Sequence, residues 1–170
     1  TSAEKVKQNF VQQFWYEGRN YLYDTIDKNG NPVAELRPNQ LFAISLPFSL
    51  IEGEKAKAIL KIVEDNLYTP VGLRSLPKTD SHYVPVYGGD QWHRDSAYHQ
   101  GTVWSWLLGP YIDALMKVKN EKAEVKKVIE NFASHLTEGC IGSVSEIFDA
   151  DAPHHPRGCV AQAWGVAELL

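Results

Sequence analysis

The sequence predicts an all-α protein that forms about half of an α/α toroid, and three observations lead to this fold class. Segments with one apolar face alternate along the chain with segments that are apolar almost all round. A long loop leads from each one-faced segment into the next apolar segment, whereas the return links are short. Since a helix with one apolar face lies at the surface and a helix apolar all round must be buried, the alternation describes two concentric layers. We expect one domain over residues 1–170, with three helix pairs and the long loops gathered at one end.

The first pair begins with an amphipathic helix over residues 3–16, whose apolar residues recur at helical spacing. Residues 17–37 follow, and the dipeptide Asn29-Gly30 within them predicts a tight turn in a small hairpin or ordered loop. Pro38 suits the first position of a helix, and the mainly apolar residues after it predict burial on every side. Pro47 is expected to kink this inner helix or to end it early.

The second pair consists of an amphipathic helix over residues 54–67 and a buried helix over residues 103–118, with a kink expected at Pro110. Residues 69–101 connect the two helices. This segment is too long to be a simple connector, and long irregular segments in compact domains tend to be functional.

The third pair consists of an amphipathic helix over residues 121–136, a long loop over residues 137–161 and a last apolar segment, residues 160–170, that predicts another buried helix. Three pairs do not close a ring, and an inner helix at an open edge would expose apolar surface to water. We therefore expect this edge to be covered by an upstream part of the same protein or by self-association. The sequence also starts and stops within helical patterns, which favours a piece of something longer.

Composition and charge exclude several classes of partner. The net charge of −4 comes without a basic stripe, so nucleic acid is not expected as a partner. No apolar run reaches the roughly 20 residues that span a bilayer, and no signal-peptide pattern is present, so we expect no membrane partner and a cytoplasmic location. The two cysteines, Cys140 and Cys159, lack the spacing of a zinc or redox motif and are expected to be buried thiols, although one disulfide between them is possible.

The second long loop carries the densest group of polar and aromatic side chains. Residues 90–100 bring charged, histidine and aromatic residues together, and a buried helix is predicted to begin just after them. Such a segment suits a neutral, hydroxyl-rich ligand. The candidate ligand-binding residues are Arg94, Asp95, Tyr98, His99, Gln100 and Trp104. Two alternatives stay open: Arg94 and Asp95 pair with each other to fix the loop, and Trp104, expected in the first helical turn, is a core residue rather than a stacking platform.

The first loop offers further partners for hydroxyl groups. Asp24, Arg37, Asn39 and Gln40 provide carboxylate, guanidinium and amide groups at the mouth of the first inner helix. The alternative is structural: Asn39 caps that helix, and Arg37 pairs with Asp24 or Glu35.

In the third loop, Glu146 stands among apolar neighbours, which distinguishes it from the other acidic residues there. The alternative is a solvated loop glutamate. The histidines show no recognised metal-binding spacing, so we expect neither a metal site nor a cofactor, and no Gly-x-Ser-x-Gly elbow indicates a nucleophilic serine.

Several segments resemble the C-terminal part of bacterial and archaeal glycogen-debranching enzymes, the amylo-α-1,6-glucosidase family. The longest runs from Gly88 to Pro110, GGDQWHRDSAYHQGTVWSWLLGP. The resemblance extends over essentially the whole chain and includes residues 21–24, 37–40, 72–76, 145–149 and 157–164.

The resemblance implies an (α/α)6 barrel and hydrolysis, with inversion, of the α-1,6-linked glucose at a branch point of glycogen or a similar branched α-glucan. By motif match it makes Glu146 the general base. The general acid of the family belongs to a Trp-Met-Asp-like motif upstream of the region represented here, and this sequence contains no such motif. The resemblance therefore predicts that the fragment alone is inactive.

Two other functions remain open. The chain could be a non-catalytic α-glucan-binding domain, or the same toroid could serve sugar epimerisation, in which a histidine such as His99 would move protons.

Overall fold

The structure, a computed structural model, describes residues 1–169 and is rich in helices. The helices are α1 (Ser2–Phe14), α2 (Phe42–Ser45), α3 (Gly53–Asn66), α4 (Gln91–Ala97), α5 (Leu108–Val118), α6 (Lys122–Ala133) and α7 (Ala163–Leu169), with 3-10 turns at Pro38–Leu41, Ser105–Leu107 and Ser134–Thr137. The predicted layered toroid is confirmed: α5 contacts the inner helices α2 and α7 as well as the outer helices α3 and α6. Within residues 1–169, no helix is both long and apolar enough to cross a membrane.

The outer helices form where periodicity predicts them. Helix α3 buries Ile59, Leu60 and Val63 on one face. Helix α1 starts with a capping box between Thr1 and Glu4, and the apolar face of that helix packs against the core.

The inner helices are shorter than predicted, and their side chains are less buried. Helix α2 ends at Ser45, since Pro47 cannot continue it, and the following Leu46 and Phe48 are 52% and 92% exposed. The prediction of burial on every side is therefore wrong beyond Ser45. Helix α5 begins at Leu108, so Pro110 occupies the first turn, where proline fits, instead of making a kink.

The last helix also departs from the prediction. Gly165 is buried, but Trp164 is 48% exposed and Val160, before the helix begins, is 60% exposed. The predicted buried helix over residues 160–170 is thus a short helix at the open edge, and Leu170 lies outside the described residues.

The first loop contains two hairpins, where the sequence predicts one small hairpin or an ordered loop. Strand β1 (Trp15–Tyr16) pairs with β2 (Tyr21–Leu22), and β3 (Thr25–Ile26) pairs with β4 (Pro32–Val33), both antiparallel. In the turn between β3 and β4, the carboxylate of Asp27 accepts hydrogen bonds from the amides of Asn29 and Asn31, both at 2.8 Å.

The second and third loops meet in an antiparallel sheet that the sequence analysis does not predict. Its strands, in spatial order, are β5 (Tyr68–Thr69), β6 (Gly72–Arg74), β7 (Val103–Trp104), β8 (Ile147–Phe148) and β9 (Pro156–Arg157). Trp104 is therefore a strand residue opposite Leu73 and Ile147, not a residue of the first helical turn.

A buried carboxylate fixes the far end of this sheet. Asp149, which is buried, accepts from Nε and Nη2 of Arg157 at 3.1 and 2.8 Å and from the amide of Tyr87 at 2.9 Å. Because Tyr87 belongs to the second loop and the other two residues to the third, these bonds tie the two loops together.

Candidate active site

The backbone of Glu146 is held from three directions just before strand β8. Its amide donates to the carbonyl of Cys159 at 2.9 Å, and its carbonyl accepts from the hydroxyl of Ser105 at 3.1 Å. The amide of the preceding Ser145 donates to Nε2 of the fully buried His135 at 3.1 Å. These contacts leave the main chain at Glu146 little freedom.

The carboxylate of Glu146 accepts one hydrogen bond on each oxygen. Oε1 accepts from the phenol of Tyr98, and Oε2 accepts from the amide of Cys159 at 3.0 Å. Burial, and then the Glu146 carboxylate, raise the pKa of Tyr98, so the phenol keeps the proton that it donates.

Gly158 and Cys159 lie against Oε2 of the Glu146 carboxylate. Gly158 has φ +66°, and a Cβ atom there would stand 2.4 Å from Oε2 of Glu146, so the position requires glycine. The prediction of a buried thiol is wrong for Cys159, which is exposed, and the nearby Glu146 carboxylate raises the pKa of this thiol.

An aromatic cluster surrounds Tyr98. The edge of the Tyr98 ring meets Trp104, with ring centroids 4.7 Å apart, and Nε1 of Trp104 donates to the carbonyl of Tyr98 at 3.2 Å. His99 stacks on the indole of Trp104 at 5.2 Å, with only 2° between the ring planes. The structure thus brings three predicted site residues together with Glu146.

Beside this cluster lies a cleft of about 480 Å³, which we call the aromatic cleft. It is lined by Asp24, Glu35, Arg37, Pro38, Asn39, Ser75, His99, Trp104, Trp106, Leu107 and Trp164. Tyr98 and Glu146 are not among these lining residues, but Trp104, which contacts the Tyr98 ring, is one of them.

Arg37 is largely occupied by the protein itself. Its guanidinium pairs with Glu35 at 2.7 Å and donates to the carbonyls of Ser75, at 3.1 Å, and His99. It also donates to the side chain of Gln100 at 3.2 Å. The sequence left open whether Arg37 pairs with Asp24 or with Glu35, and the structure contains the pair with Glu35. The bonds to Ser75, His99 and Gln100 join the first loop to the second.

The cleft contains two groups whose pKa is shifted. Burial raises the pKa of Asp24, aided by Glu35 and opposed by Arg37 and Asn39. Burial, and then the Arg37 charge, lower the pKa of His99. Asp24 and Asn39 both line the cleft, and Asn39 lies within the 3-10 turn Pro38–Leu41, which has no side-chain cap.

Three predicted residues lie elsewhere. Gln40 uses both ends of its amide, donating to the carbonyl of Arg37 at 2.9 Å and accepting from the amide of Leu22 at 3.3 Å. Arg94 and Asp95 sit on helix α4, where Arg94 donates to the carbonyl of Gly89 at 2.6 Å and Asp95 is exposed. Neither residue lines the aromatic cleft.

The sequence analysis missed two tryptophans. Trp106 and Trp164 stack face to face, with centroids 4.0 Å apart, and both line the aromatic cleft. Trp164 belongs to one of the segments that carry the family resemblance, which was the available signal. Trp106 belongs to another of these segments, Gly88–Pro110, where it stands in an apolar run.

Comparisons with known proteins show which sequences and folds this chain resembles. The sequence is 34% identical over 104 residues to the glycogen debranching enzyme of Saccharomyces cerevisiae, covering 56% of this chain and 7% of the yeast protein. The structure resembles neutral trehalase Nth1 from Saccharomyces cerevisiae with a TM-score of 0.70 and 12% identity, covering 99% of this chain and 28% of that one. The trehalase likeness shows a shared fold, and this chain spans only a small part of either protein.

The family model described as amylo-alpha-1,6-glucosidase matches residues 1–170, the whole of the sequence. That match agrees with the segments singled out from the sequence. The chain belongs to the amylo-α-1,6-glucosidase family.

Proposed function

We propose that the full-length protein hydrolyses α-1,6-glucosidic branch linkages of glycogen or a similar branched α-glucan, with inversion. The observation that carries the proposal is the Glu146 carboxylate, anchored on both oxygens beside a cleft lined with aromatic rings. Family membership and the yeast debranching enzyme relative support the choice of linkage.

In this mechanism Glu146 acts as the general base. It accepts a proton from water while the water oxygen attacks the anomeric carbon, and a second carboxylic acid protonates the departing oxygen. We propose that this acid comes from a region outside residues 1–170, because the sequence contains no Trp-Met-Asp motif. The isolated chain is then expected to be inactive.

The residues of the cleft are assigned to binding. His99, which is exposed and stacks on the largely buried Trp104, offers an aromatic surface for a glucose ring, and Asp24 and Asn39 offer partners for its hydroxyls. We assign Arg37, Gln40 and Gln100 to support of the cleft, since their side chains are hydrogen-bonded within the protein. Arg94 and Asp95 are not included in this proposal.

The test is Glu146→Gln in the full-length protein. We expect release of glucose from a branched dextrin to fall by about 10²- to 10⁴-fold, because a general base contributes that much. Glu130→Gln, at an exposed position on α6, is the matched control and should leave the rate unchanged. Near-normal debranching by Glu146→Gln would refute the assignment.

A chemical rescue sharpens this test. In Glu146→Ala, azide should restore turnover and yield a glucosyl azide of inverted configuration, because an anionic nucleophile needs no base. NMR of the wild-type reaction should show the inverted anomer of glucose first. A sugar isomer instead of released glucose would favour the epimerase alternative.

The binding-domain alternative is favoured by one observation: His99, Trp106 and Trp164 line the same cleft. It predicts that the isolated chain binds glycogen, that Glu146→Gln leaves the affinity unchanged and that Trp104→Ala abolishes it. Full-length protein without debranching activity would support this alternative.

We further propose that another part of the same enzyme, or a second copy, covers the exposed apolar side chains of Leu46 and Phe48, which follow α2, and of Trp164 on α7. The support is their exposure, since apolar patches of this kind mark contact surfaces. Sedimentation of the full-length protein would distinguish the two. The cytoplasmic location stays a prediction, which cell fractionation tests.

A further inference from the structure

We propose that Tyr98 is a positioning residue for Glu146, which acts through its phenolic O–H and not as a sugar platform. This inference rests on the proposed function, in which Glu146 is the general base. It changes the role of Tyr98 predicted from the sequence.

The surroundings of the Tyr98 ring argue against a platform. Trp104 meets the ring at 4.7 Å, His99 at 5.0 Å and Tyr87 at 5.6 Å between centroids. A sugar platform needs a free ring face on the ligand side. Tyr98 does not line the aromatic cleft, whereas its neighbours His99 and Trp104 do.

The hydroxyl, by contrast, has a defined partner. It donates to Oε1 of Glu146, while the amide of Cys159 donates to Oε2 at 3.0 Å. The two donors come from chain segments on different sides of the carboxylate and bind different oxygens. Together they fix the plane of the carboxylate, which one donor alone would leave free to rotate.

This arrangement leaves room for the reaction. An ionised carboxylate offers about four lone-pair positions, so two donors leave about two for the attacking water. Hydrogen bonds donated to a carboxylate favour its ionised form, which is the form that accepts the proton from water. Tyr98 keeps its own proton throughout, and the proton from water goes to Glu146.

Few other titratable groups face this carboxylate. Besides the Tyr98 phenol, the Cys159 thiol lies next to the Glu146 carboxylate, and the Tyr87 ring contacts the Tyr98 ring. A change confined to the Tyr98 hydroxyl therefore isolates one contact of Glu146.

The test is Tyr98→Phe in the full-length protein, which removes the hydroxyl and keeps the ring. We expect kcat to fall about 10- to 100-fold with little change in KM, since a hydrogen bond to a charged group is lost. The acid limb of the kcat/KM profile should move to higher pH, because the ionised form of the base loses a donor. Tyr87→Phe removes a hydroxyl from the same cluster and should change neither quantity.

The pH profile separates positioning from folding. A smaller folded fraction would lower the rate at every pH without moving the acid limb, and a platform role would leave Tyr98→Phe fully active because the ring remains. Unchanged kcat and an unchanged acid limb in Tyr98→Phe would overturn this inference. So would a lower rate with an unmoved limb.

Glu146→Gln, measured in parallel, separates this inference from the proposed function. If Glu146→Gln is active, the proposed function fails whatever Tyr98→Phe does. If Glu146→Gln is inactive and Tyr98→Phe resembles the wild type, only the positioning role fails. In the azide-rescued Glu146→Ala background, adding Tyr98→Phe should cause no further loss, since the hydroxyl then has no base to position.

Discussion

The sheet beside Glu146 and the edge formed by α2 and α7 differ in how far this chain covers its own apolar side chains. In the sheet, Ile147 and Phe148 are fully buried. At the edge, Phe48 is 92% exposed and Trp164 is 48% exposed. Glu146 and its two hydrogen-bond donors therefore lie beside apolar side chains that this chain covers itself, whereas Phe48 and Trp164 leave apolar surface in contact with solvent.

The largest expected effect is on the free energy of unfolding, and two phenylalanine substitutions measure it. Phe148→Ala should lower the free energy of unfolding by about 3–5 kcal/mol, because it removes a buried ring that packs against the ring of His135. Phe48→Ala should change it by less than about 0.5 kcal/mol, since the ring is already in water. Urea unfolding measures both. Equal losses would mean that the edge is packed as tightly as the sheet.

A pair of glycines tests how tightly the carboxylate is held. Gly158→Ala would place a Cβ atom 2.4 Å from Oε2 of Glu146, so the carboxylate must move and debranching by the full-length protein should fall. We expect a loss of about 10²-fold, the lower range for losing a general base. Gly142→Ala is the matched control, because it has a similar φ of +73° with nothing within 4 Å of the added atom.

Both glycine substitutions carry the backbone cost of a left-handed conformation, about 1 kcal/mol each. The Cβ atom of Gly158→Ala would also stand 2.9 Å from Cγ1 of the buried Ile147, so thermal unfolding should show the larger loss for Gly158→Ala. Activity should separate them, and equal activities would show that Glu146 tolerates displacement.

The smallest expected effect is on the pH dependence of folding stability. Burial and Arg37 lower the pKa of His99, so the folded protein binds fewer protons there than the unfolded chain. The resulting loss of stability begins as the pH falls below the unfolded pKa, about 6.5, and grows until the folded pKa is passed. His99→Gln should remove this part of the acid destabilisation, as urea midpoints at several pH values would show.

The elements best predicted from the sequence are those whose signal is local. Helices α1, α3 and α6 each carry apolar residues at helical spacing over three or more turns, and their structures follow that spacing. The turn at Asn29-Gly30 is also local, since the conformation depends on the residues of the turn itself. The long motif around Tyr98 was sufficient to identify the family.

The central sheet could not be predicted in this way. Its strands contain two or three residues each, too few to display an alternating pattern. Trp104 shows the consequence: its neighbours along the chain are apolar and suggested a helix, but its backbone pairs with residues far away in sequence. The same limit applies to side chains, because nothing near Tyr98 indicates that its hydroxyl meets Glu146, or that Gln40 and Arg37 are occupied.

The connectivity of the sheet also determines when the site can exist during folding. Leu73 in β6 pairs with Trp104 in β7, which in turn pairs with Ile147 in β8. Each pairing closes a long loop, and such closures are slow compared with the formation of local helices. We therefore expect α3, α5 and α6 to form early and the strands between them to pair afterwards. The carboxylate of Glu146 would then meet its two donors only in the last stage of folding.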